Sequence, residues 1–258
     1  MSSILYAVKD HVACITLHRP EKYNAFNREM ALALQQRLDE AAKDPEARCV
    51  YIIGAGLAFS AGQDLNEVTD PNGPGMEKIL AEHYNPIITK IREMNKPVVA
   101  AVNGVAAGAG ANIALCCDIT VAATNAFFLQ AFSKIGLIPD SGGTYFLPRL
   151  IGLQKATAYM MLGEKITAPE AESFGMIYKT FDDESFEVES MEIALILARL
   201  PTRALGFTKE ALNKSLNNSL QDQLKLEDSL QQQSAATLDF KEGVKAFIEK
   251  RKPEFKGE

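Results

Sequence analysis

The stretch from Lys96 to Ile119, KPVVAAVNGVAAGAGANIALCCDI, constrains the fold more than any other part of the chain. Behind a proline it opens on Val98-Val99-Ala100-Ala101-Val102, the unbroken apolar run of a strand buried on both faces. An Asn-Gly pair follows, and a helix then starts on small residues and runs to the paired cysteines. A strand covered on both sides needs helices to cover it, so the chain reads as α/β with a largely parallel sheet.

The same order recurs along the chain. Residues 4–8 and 11–17 pair as strands around Lys9-Asp10, and Asn27 caps a helix with Met30, Leu34, Leu38 and Ala41 at helical spacing. RCVYIIG is a short buried strand and FSAGQDL the loop after it. Residues 75–93 are helical with a bend near Pro86, and DITVAA and AFFLQ are strands. Repetition of this kind predicts stacked ββα units. From Pro169 onward the pattern is mostly helical, with helices expected at about 184–199, 203–217, 220–237 and 240–251 and Pro201 separating the first two.

Composition removes whole classes of function. With 47% hydrophobic residues in 258 and no long apolar run, nothing is long enough to span a bilayer. The start, MSSILYAVKDHVACITL, lacks the basic and apolar regions of a secretory signal. A net charge of −6 without an internal basic block argues against nucleic acid. Cys14, Cys49, Cys116 and Cys117 form no Cys-x-x-Cys pair and read as reduced core residues of a cytoplasmic protein. Of three histidines, His11 and His18 flank a strand and His83 reads as a helix-surface residue, so no metal site is expected. GAGLAF and GAGANI begin like dinucleotide fingerprints, but Phe59 and Ile113 stand where the third glycine belongs.

Two loops and one acid remain. FSAGQDL and NGVAAGAGAN each leave a buried strand and enter a helix, the place where α/β proteins bind ligands. One backbone N–H from each would stabilise a carbonyl that becomes an enolate; the other reading is that small residues only permit tight packing. In AFSKIGLIPDSGGTYFLPRLIG, Asp140 is either the cap of a helix over Gly142 to Leu150 or an acid–base group tuned by Phe132, Ile135, Leu137 and Ile138. Met76, Ile79, Tyr84, Phe132 and Tyr145 are candidates to shape a pocket, or simply core and lid packing.

VVAAVNGVAAGAGANIALCCDI closely resembles the signature of the enoyl-CoA hydratase/isomerase (crotonase) superfamily, with its Asn-Gly, its small residues 108–110 and its Cys-Asp pair. FSAGQDL is similar to that family's first oxyanion loop, LHRPEKYNAFN to its N-terminal coenzyme A loop, and FKEGVKAFIEKRKPEF to its closing helix. The resemblance implies a crotonase-like spiral of ββα units over 1–197 and a helical oligomerisation region over 198–258, assembled as homotrimers or hexamers. It places the oxyanion donors at the backbone N–H of Gln63 and of Ala109. The loop of Ala61, Gly62, Asp64 and Leu65 would cradle coenzyme A, with Lys22 near the phosphates. Phe247 and Lys250, three apart on one helix face, would reach coenzyme A, often from a neighbouring subunit. The lysines read equally as solvated surface residues. The implied ligand is an acyl-CoA thioester, with no separate cofactor.

Departures from the family pattern narrow the chemistry. Hydratases of the family position water with two glutamates, and here those positions hold Asn112 and Phe132, neither of which takes a proton. Asp140 stands where certain isomerases and the 4-chlorobenzoyl-CoA dehalogenase carry an aspartate. The dehalogenase also relies on a tryptophan at the position of Phe132 and a histidine at that of Asn85, and this chain has no tryptophan. The window around Asp140 most resembles the epoxyphenylacetyl-CoA isomerases, the branch that converts a ring epoxide to an oxepin. A Δ3,Δ2-enoyl-CoA isomerase is the neighbouring expectation, and a non-catalytic acyl-CoA binder the one outside enzymes.

Overall fold

The computed structural model describes residues 2–258, and the chain follows the ββα order read from its sequence. A hairpin of β1 (Ile4–Lys9) and β2 (Val12–Leu17) precedes α1 (Arg28–Lys43). Then come β3 (Cys49–Gly54), β4 (Ala58–Ser60) and α2 (Leu65–Thr69). Next are α3 (Gly75–Lys78), a π-helical turn at Ile79–Tyr84 and α4 (Asn85–Glu93). The following unit is β5 (Val98–Val102), β6 (Val105–Ala107) and α5 (Ala109–Leu115). After it come β7 (Ile119–Ala123), β8 (Phe127–Leu129), α6 (Gly143–Ile151) and α7 (Leu153–Leu162). Finally β9 (Lys165–Thr167), α8 (Ala168–Ser173) and β10 (Lys179–Phe181) lead to α9 (Phe186–Arg199), α10 (Thr202–Ser215), α11 (Leu220–Ala235) and α12 (Leu238–Glu249).

The strands form two sheets, one in the order β1-β2-β3-β5-β7-β10 and one in the order β4-β6-β8-β9. Pairing is parallel except for β1–β2 and β8–β9. The three successive strand pairs β3–β4, β5–β6 and β7–β8 each give the first strand to the large sheet and the second to the small one, so the chain turns a corner between the sheets within each pair. Side-chain amides hold the first corners. Asn24 Nδ2 donates to the carbonyls of Ala55 (2.9 Å) and Ala58 (2.7 Å). Asn103, of the Asn-Gly pair, accepts from Gly54 N–H (3.1 Å) and donates to the Gly56 carbonyl (2.8 Å).

Local physics explains the agreements. Every residue of β5 is buried, as its apolar run requires. Asn27 accepts the Met30 N–H at 3.0 Å, and Met30, Leu34, Leu38 and Ala41 of α1 line the core. The differences are equally instructive. Residues 58–60 and 105–107, expected to be loop and helix start, are strands of the small sheet, and β10 lies just before the first expected C-terminal helix, in a stretch read as mostly helical. Three residues are too few to display alternation. The bend before Pro86 is a π turn, with Asn85 N–H bonded to the Leu80 carbonyl. That wide turn carries His83 and Tyr84 inward together, so His83 is fully buried rather than on the helix surface. Its Nε2 takes a hydrogen bond from Arg28 (3.1 Å), and burial lowers its pKa. Cys116 and Cys117 are buried at the end of α5, where the expected helix stops.

The C-terminal helices are fastened to the sheets by buried charge. Asp118, of the Cys-Asp pair, accepts from Val98 N–H (2.8 Å), Arg92 (3.2 Å) and Lys209 of α10 (2.7 Å). Lys209 is 7% exposed and also donates to the Ile91 carbonyl at 2.6 Å. Arg48 reaches the Leu200 carbonyl (2.6 Å), Thr202 Oγ1 (2.9 Å) and the Phe255 carbonyl (2.8 Å). Replacing Asp118 by Ala strands the Lys209 ammonium, at an expected cost of about 3–5 kcal/mol in urea unfolding. Asp118→Asn, which keeps an acceptor, should lose less, and equal losses would remove the charge from the explanation.

Candidate active site

The site begins where two glycines let two loops touch. A Cβ on Gly62 would stand 2.8 Å from the Ala107 carbonyl oxygen and 3.4 Å from Ala109 N. A Cβ on Gly110 would stand 2.6 Å from the Ser60 carbonyl oxygen. The loop after β4 is therefore seated directly on the start of α5. Phe26 N–H bonds to the Gly62 carbonyl (2.7 Å) and Asp64 N–H to the Phe26 carbonyl (2.8 Å), a parallel bridge that grips both sides of Gln63. Gln63's own N–H consequently points away from Phe26. Ala109 is the first residue of α5, where an N–H has no acceptor within the helix. Among the described residues neither N–H has a backbone acceptor. Two free donors on adjoining backbones are what a developing oxyanion needs.

Side chains close the site. Gln63 Oε1 accepts from the Tyr84 hydroxyl (2.8 Å), and its Nε2 donates to Glu67 (2.9 Å). Tyr84 is fully buried, and burial, then the nearby charges of Asp140, Glu67 and Asp64, hold its phenol well above the usual range. The Phe132 ring, also buried, would lie 3.7 Å from a Cβ on Gly108 and so covers the approach to Ala109.

Asp140 sits at a strained turn. Ser141 (φ 51°) and Gly142 (φ 74°) are both left-handed, and α6 starts immediately after them. No side chain caps α6; Asp140 gives Gly143 N–H its backbone carbonyl instead (2.8 Å). The carboxylate is thus free of the capping role. Burial raises its pKa, and a hydrogen bond from the Ser141 hydroxyl (2.8 Å) offsets part of that rise. The apolar neighbours expected to desolvate it do not all do so. Phe132 is buried, but Ile135 and Ile138 are 53% and 80% exposed and Leu137 is also exposed. The 3₁₀ turn at Ala131–Ile135 turns them outward.

The expected coenzyme A residues divide into two groups. Lys22 ends a 3₁₀ turn beside the loop of Ala61, Gly62, Asp64 and Leu65, joined to it by the bond from Ala61 N–H to the Tyr23 carbonyl (2.9 Å). Lys22, Ala61 and Leu65 are exposed. Asp64 is committed to structure: it caps α2 through Asn66 N–H (3.2 Å) and pairs with Arg19 (3.0 Å). Its burial opposes ionisation, but those bonds and the charges of Arg19 and Lys22 win and lower its pKa. Phe247 and Lys250 lie elsewhere in the chain. Phe247 is 85% exposed on α12 beside a groove formed with α10 and α11. Lys250 lies past the end of α12 in a left-handed conformation, so the two do not share a regular helix face.

Of the residues proposed to shape a pocket, Ile79, Tyr84 and Phe132 are buried and Met76 is half-buried. Tyr145 faces a separate cleft with Arg92 and Asn213 and is stacked by Arg149 at 3.7 Å. Sequence reasoning missed Arg19, Glu67, Gln130 and Ser141. Arg19 was within reach, since it lies inside LHRPEKYNAFN, but its partner is 45 residues away.

With this geometry in view, a family model described as Enoyl-CoA hydratase/isomerase matches residues 7–258. The chain is 44% identical over 260 residues to "1,2-epoxyphenylacetyl-CoA isomerase" of Escherichia coli (strain K12), covering 100% of this chain and 99% of that protein. It is also 44% identical over 255 residues to a Rhodobacter capsulatus protein named "Probable enoyl-CoA hydratase", covering 99% and 98%. The crystal structure of enoyl-CoA hydratase from Bacillus anthracis superposes with a TM-score of 0.92 at 32% identity, covering 99% of this chain and 100% of that one.

The free N–H of Ala109 can be tested by itself. Proline is tolerated at the first position of a helix, so Ala109→Pro removes the donor while the helix can still start, although its ring adds bulk at a buried contact. Turnover of coenzyme A thioesters should fall on the order of 10²-fold or more, while Ala109→Gly stays active. A folded proline variant, judged by circular dichroism, with wild-type turnover would exclude Ala109 from the chemistry.

Proposed function

The chain belongs to the enoyl-CoA hydratase/isomerase family, whose enzymes act on coenzyme A thioesters, and on that premise we propose that it is an isomerase working with one carboxylate, Asp140. The observation that carries this reading is the state of Asn112. Its Nδ2 donates to the Asp140 carbonyl (2.8 Å) and its Oδ1 accepts from Gln130 (2.8 Å), so the amide is oriented toward the Asp140 turn, and having no basic group it cannot take a proton from water. Phe132 supplies only a hydrocarbon ring. Of the three positions compared with the family pattern, only Asp140 carries an acid–base group.

In the proposed reaction the N–H groups of Gln63 and Ala109 form an oxyanion hole for the thioester carbonyl, and loop 61–65 with Lys22 carries the coenzyme. Asp140 removes a proton from the α-carbon, and the electron pair moves onto the carbonyl oxygen. The same carboxyl then returns the proton to the γ-carbon, which leaves the double bond conjugated with the carbonyl. No atom is gained or lost.

The proposed substrate is 2-(1,2-epoxy-1,2-dihydrophenyl)acetyl-CoA. Breaking the ring bond shared by the epoxide gives its oxepin valence tautomer, a β,γ-unsaturated thioester, and the proton shift makes the oxepin-CoA product. Support comes from the likeness to the Escherichia coli isomerase; the equal likeness to the Rhodobacter protein is set against Asn112 and Phe132. An aliphatic Δ3,Δ2-enoyl-CoA isomerase is the second reading, because its substrate asks the same of Asp140. Four unpaired cysteines, three of them buried, support a cytoplasmic setting.

We also propose a homotrimer or hexamer. Leu212, Leu224, Phe240 and Phe247 are exposed on α10, α11 and α12, beside a groove of about 800 Å³. A neighbouring copy would bring Phe247 and Lys250 to coenzyme A. Sedimentation should give three or six chains, and a monomer at micromolar concentration would remove this part of the reading.

The reaction is tested by Asp140→Asn, which keeps size and hydrogen-bonding capacity. The variant should fold and bind thioesters, yet lose at least ~10²-fold in turnover and in exchange of the α-proton with deuterated water. Because burial raises the Asp140 pKa, wild-type turnover should fall with decreasing pH at a value above the ordinary aspartate figure of about 3.9. Rapid hydration of a 2-enoyl thioester, or near-wild-type turnover by Asp140→Asn, would overturn the isomerase. Tight binding with no proton exchange would instead favour a binding subunit.

A further inference from the structure

The geometry points to Asn112 and Gln130 as positioning residues, a one-directional amide chain that holds the Asp140 turn and thereby aims its carboxylate. The inference rests on the role proposed for Asp140 and adds how that role is set up. Both amides are 1% exposed. Gln130 Nε2 donates to Asn112 Oδ1 at 2.8 Å, and Asn112 Nδ2 donates to the Asp140 carbonyl at 2.8 Å.

The direction of this chain is forced. A carbonyl oxygen only accepts, so Asn112 must turn its NH₂ toward Asp140. Its oxygen then faces Gln130, which must answer with its own NH₂. Gln130 Oε1 is left buried with no partner. An orphaned acceptor in the interior is a cost that needs a return elsewhere. Two further features converge on the same contact. The Asp140 carbonyl also receives Gly143 N–H at 2.8 Å, so the turn is clamped between α5 and α6. A Cβ at position 143 would stand 2.5 Å from Asn112 Nδ2, so glycine there leaves the room that the amide occupies.

The turn needs such a clamp. Ser141 and Gly142 both have positive φ, and a non-glycine residue persists there only when its surroundings hold it. The carboxylate sits on the residue just before, so a shift of that peptide moves the carboxylate with it. An ionised carboxylate at position 112 has no proton to give to the Asp140 carbonyl. A carboxyl at residue 112 could hold the Asp140 carbonyl only while protonated and would let go each time it ionised, whereas an amide donates throughout. Asparagine commits the site to the single acid.

Two variants test the chain without touching Asp140, Tyr84, Glu67 or Asp64. Asn112→Asp replaces the donor by a carboxylate. Gln130→Met removes the donor to Asn112 together with the orphaned oxygen, at similar volume. Each is examined for melting temperature, for kcat and KM on the thioester substrate, and for titration of the ¹³C-labelled Asp140 carboxyl by NMR. The expected result for Gln130→Met is a melting temperature close to wild type, with kcat down about tenfold and KM within about twofold. For Asn112→Asp, kcat should fall toward the 10²-fold scale typical of a misplaced catalytic group. In both, a loosened turn admits water, so the Asp140 carboxyl should titrate at lower pH than in wild type. Should Asn112→Asp fail to fold, Gln130→Met alone decides the matter. Wild-type kcat with an unmoved Asp140 titration would overturn the inference, whatever happens to stability. The isomerase reading fails separately, through an active Asp140→Asn, and the NMR titration reports on the clamp even then.

Discussion

The site depends on the contact of two backbones. Gly62 rests against Ala107 and Ala109, and Gly110 against Ser60, at distances where a methyl group would displace main chain. That contact brings an N–H from the end of one ββα unit beside the first N–H of the next helix. Extra bulk at either point costs roughly 1–3 kcal/mol in a packed interior, and the larger effect would be on the spacing of the donors. Neither loop forms such a pair alone, because each offers one outward N–H and spends its neighbours on bonds to Phe26 or to Leu129.

Everything around the contact keeps it rigid. The amides of Asn24 and Asn103 pin the corners between the two sheets, so β4 and β6 arrive in a fixed relation to β3 and β5. Asp118 and Lys209 lock the far end of α5 to α10 through a buried ion pair, an arrangement that is costly to break although not necessarily stabilising compared with apolar packing. Two irregular stretches of backbone lie at the candidate site. The π turn at Ile79–Tyr84 delivers the Tyr84 hydroxyl to Gln63, and the left-handed pair Ser141-Gly142 delivers Asp140. Regular structure supplies stiffness, and its interruptions place the side chains of the candidate site.

Much of this was legible in the residues. The apolar run of β5, the periodic face of α1 with its Asn27 cap, and the long C-terminal helices all declare themselves through local spacing. The signature around Asn103 to Asp118 identified the family, and Asn112 and Phe132 could be seen to depart from the hydratase pattern. What escaped notice was non-local or very short. Three-residue strands have no period to detect. His83 was misplaced because a π turn changes which side chains face inward, and nothing in AEHYNP except the proline signals one. The apolar residues beside Asp140 in sequence are mostly exposed to solvent, so they do little to desolvate it.

The sequence by itself determined the longer elements, the family and the residue types available at the candidate site, because these rest on residue type and on spacing along one strand, helix or loop. Tertiary structure decided which of those groups act together. Whether Asp140 caps a helix could be answered only once Gly142 and the Gly143 N–H were placed. Whether Asn112 is a spare amide or a clamp depended on Gln130 and on the Asp140 carbonyl, 18 and 28 residues away. The physical reason is that hydrogen-bond direction and desolvation belong to the neighbours a folded chain assembles, and a sequence names those neighbours without saying where they will stand.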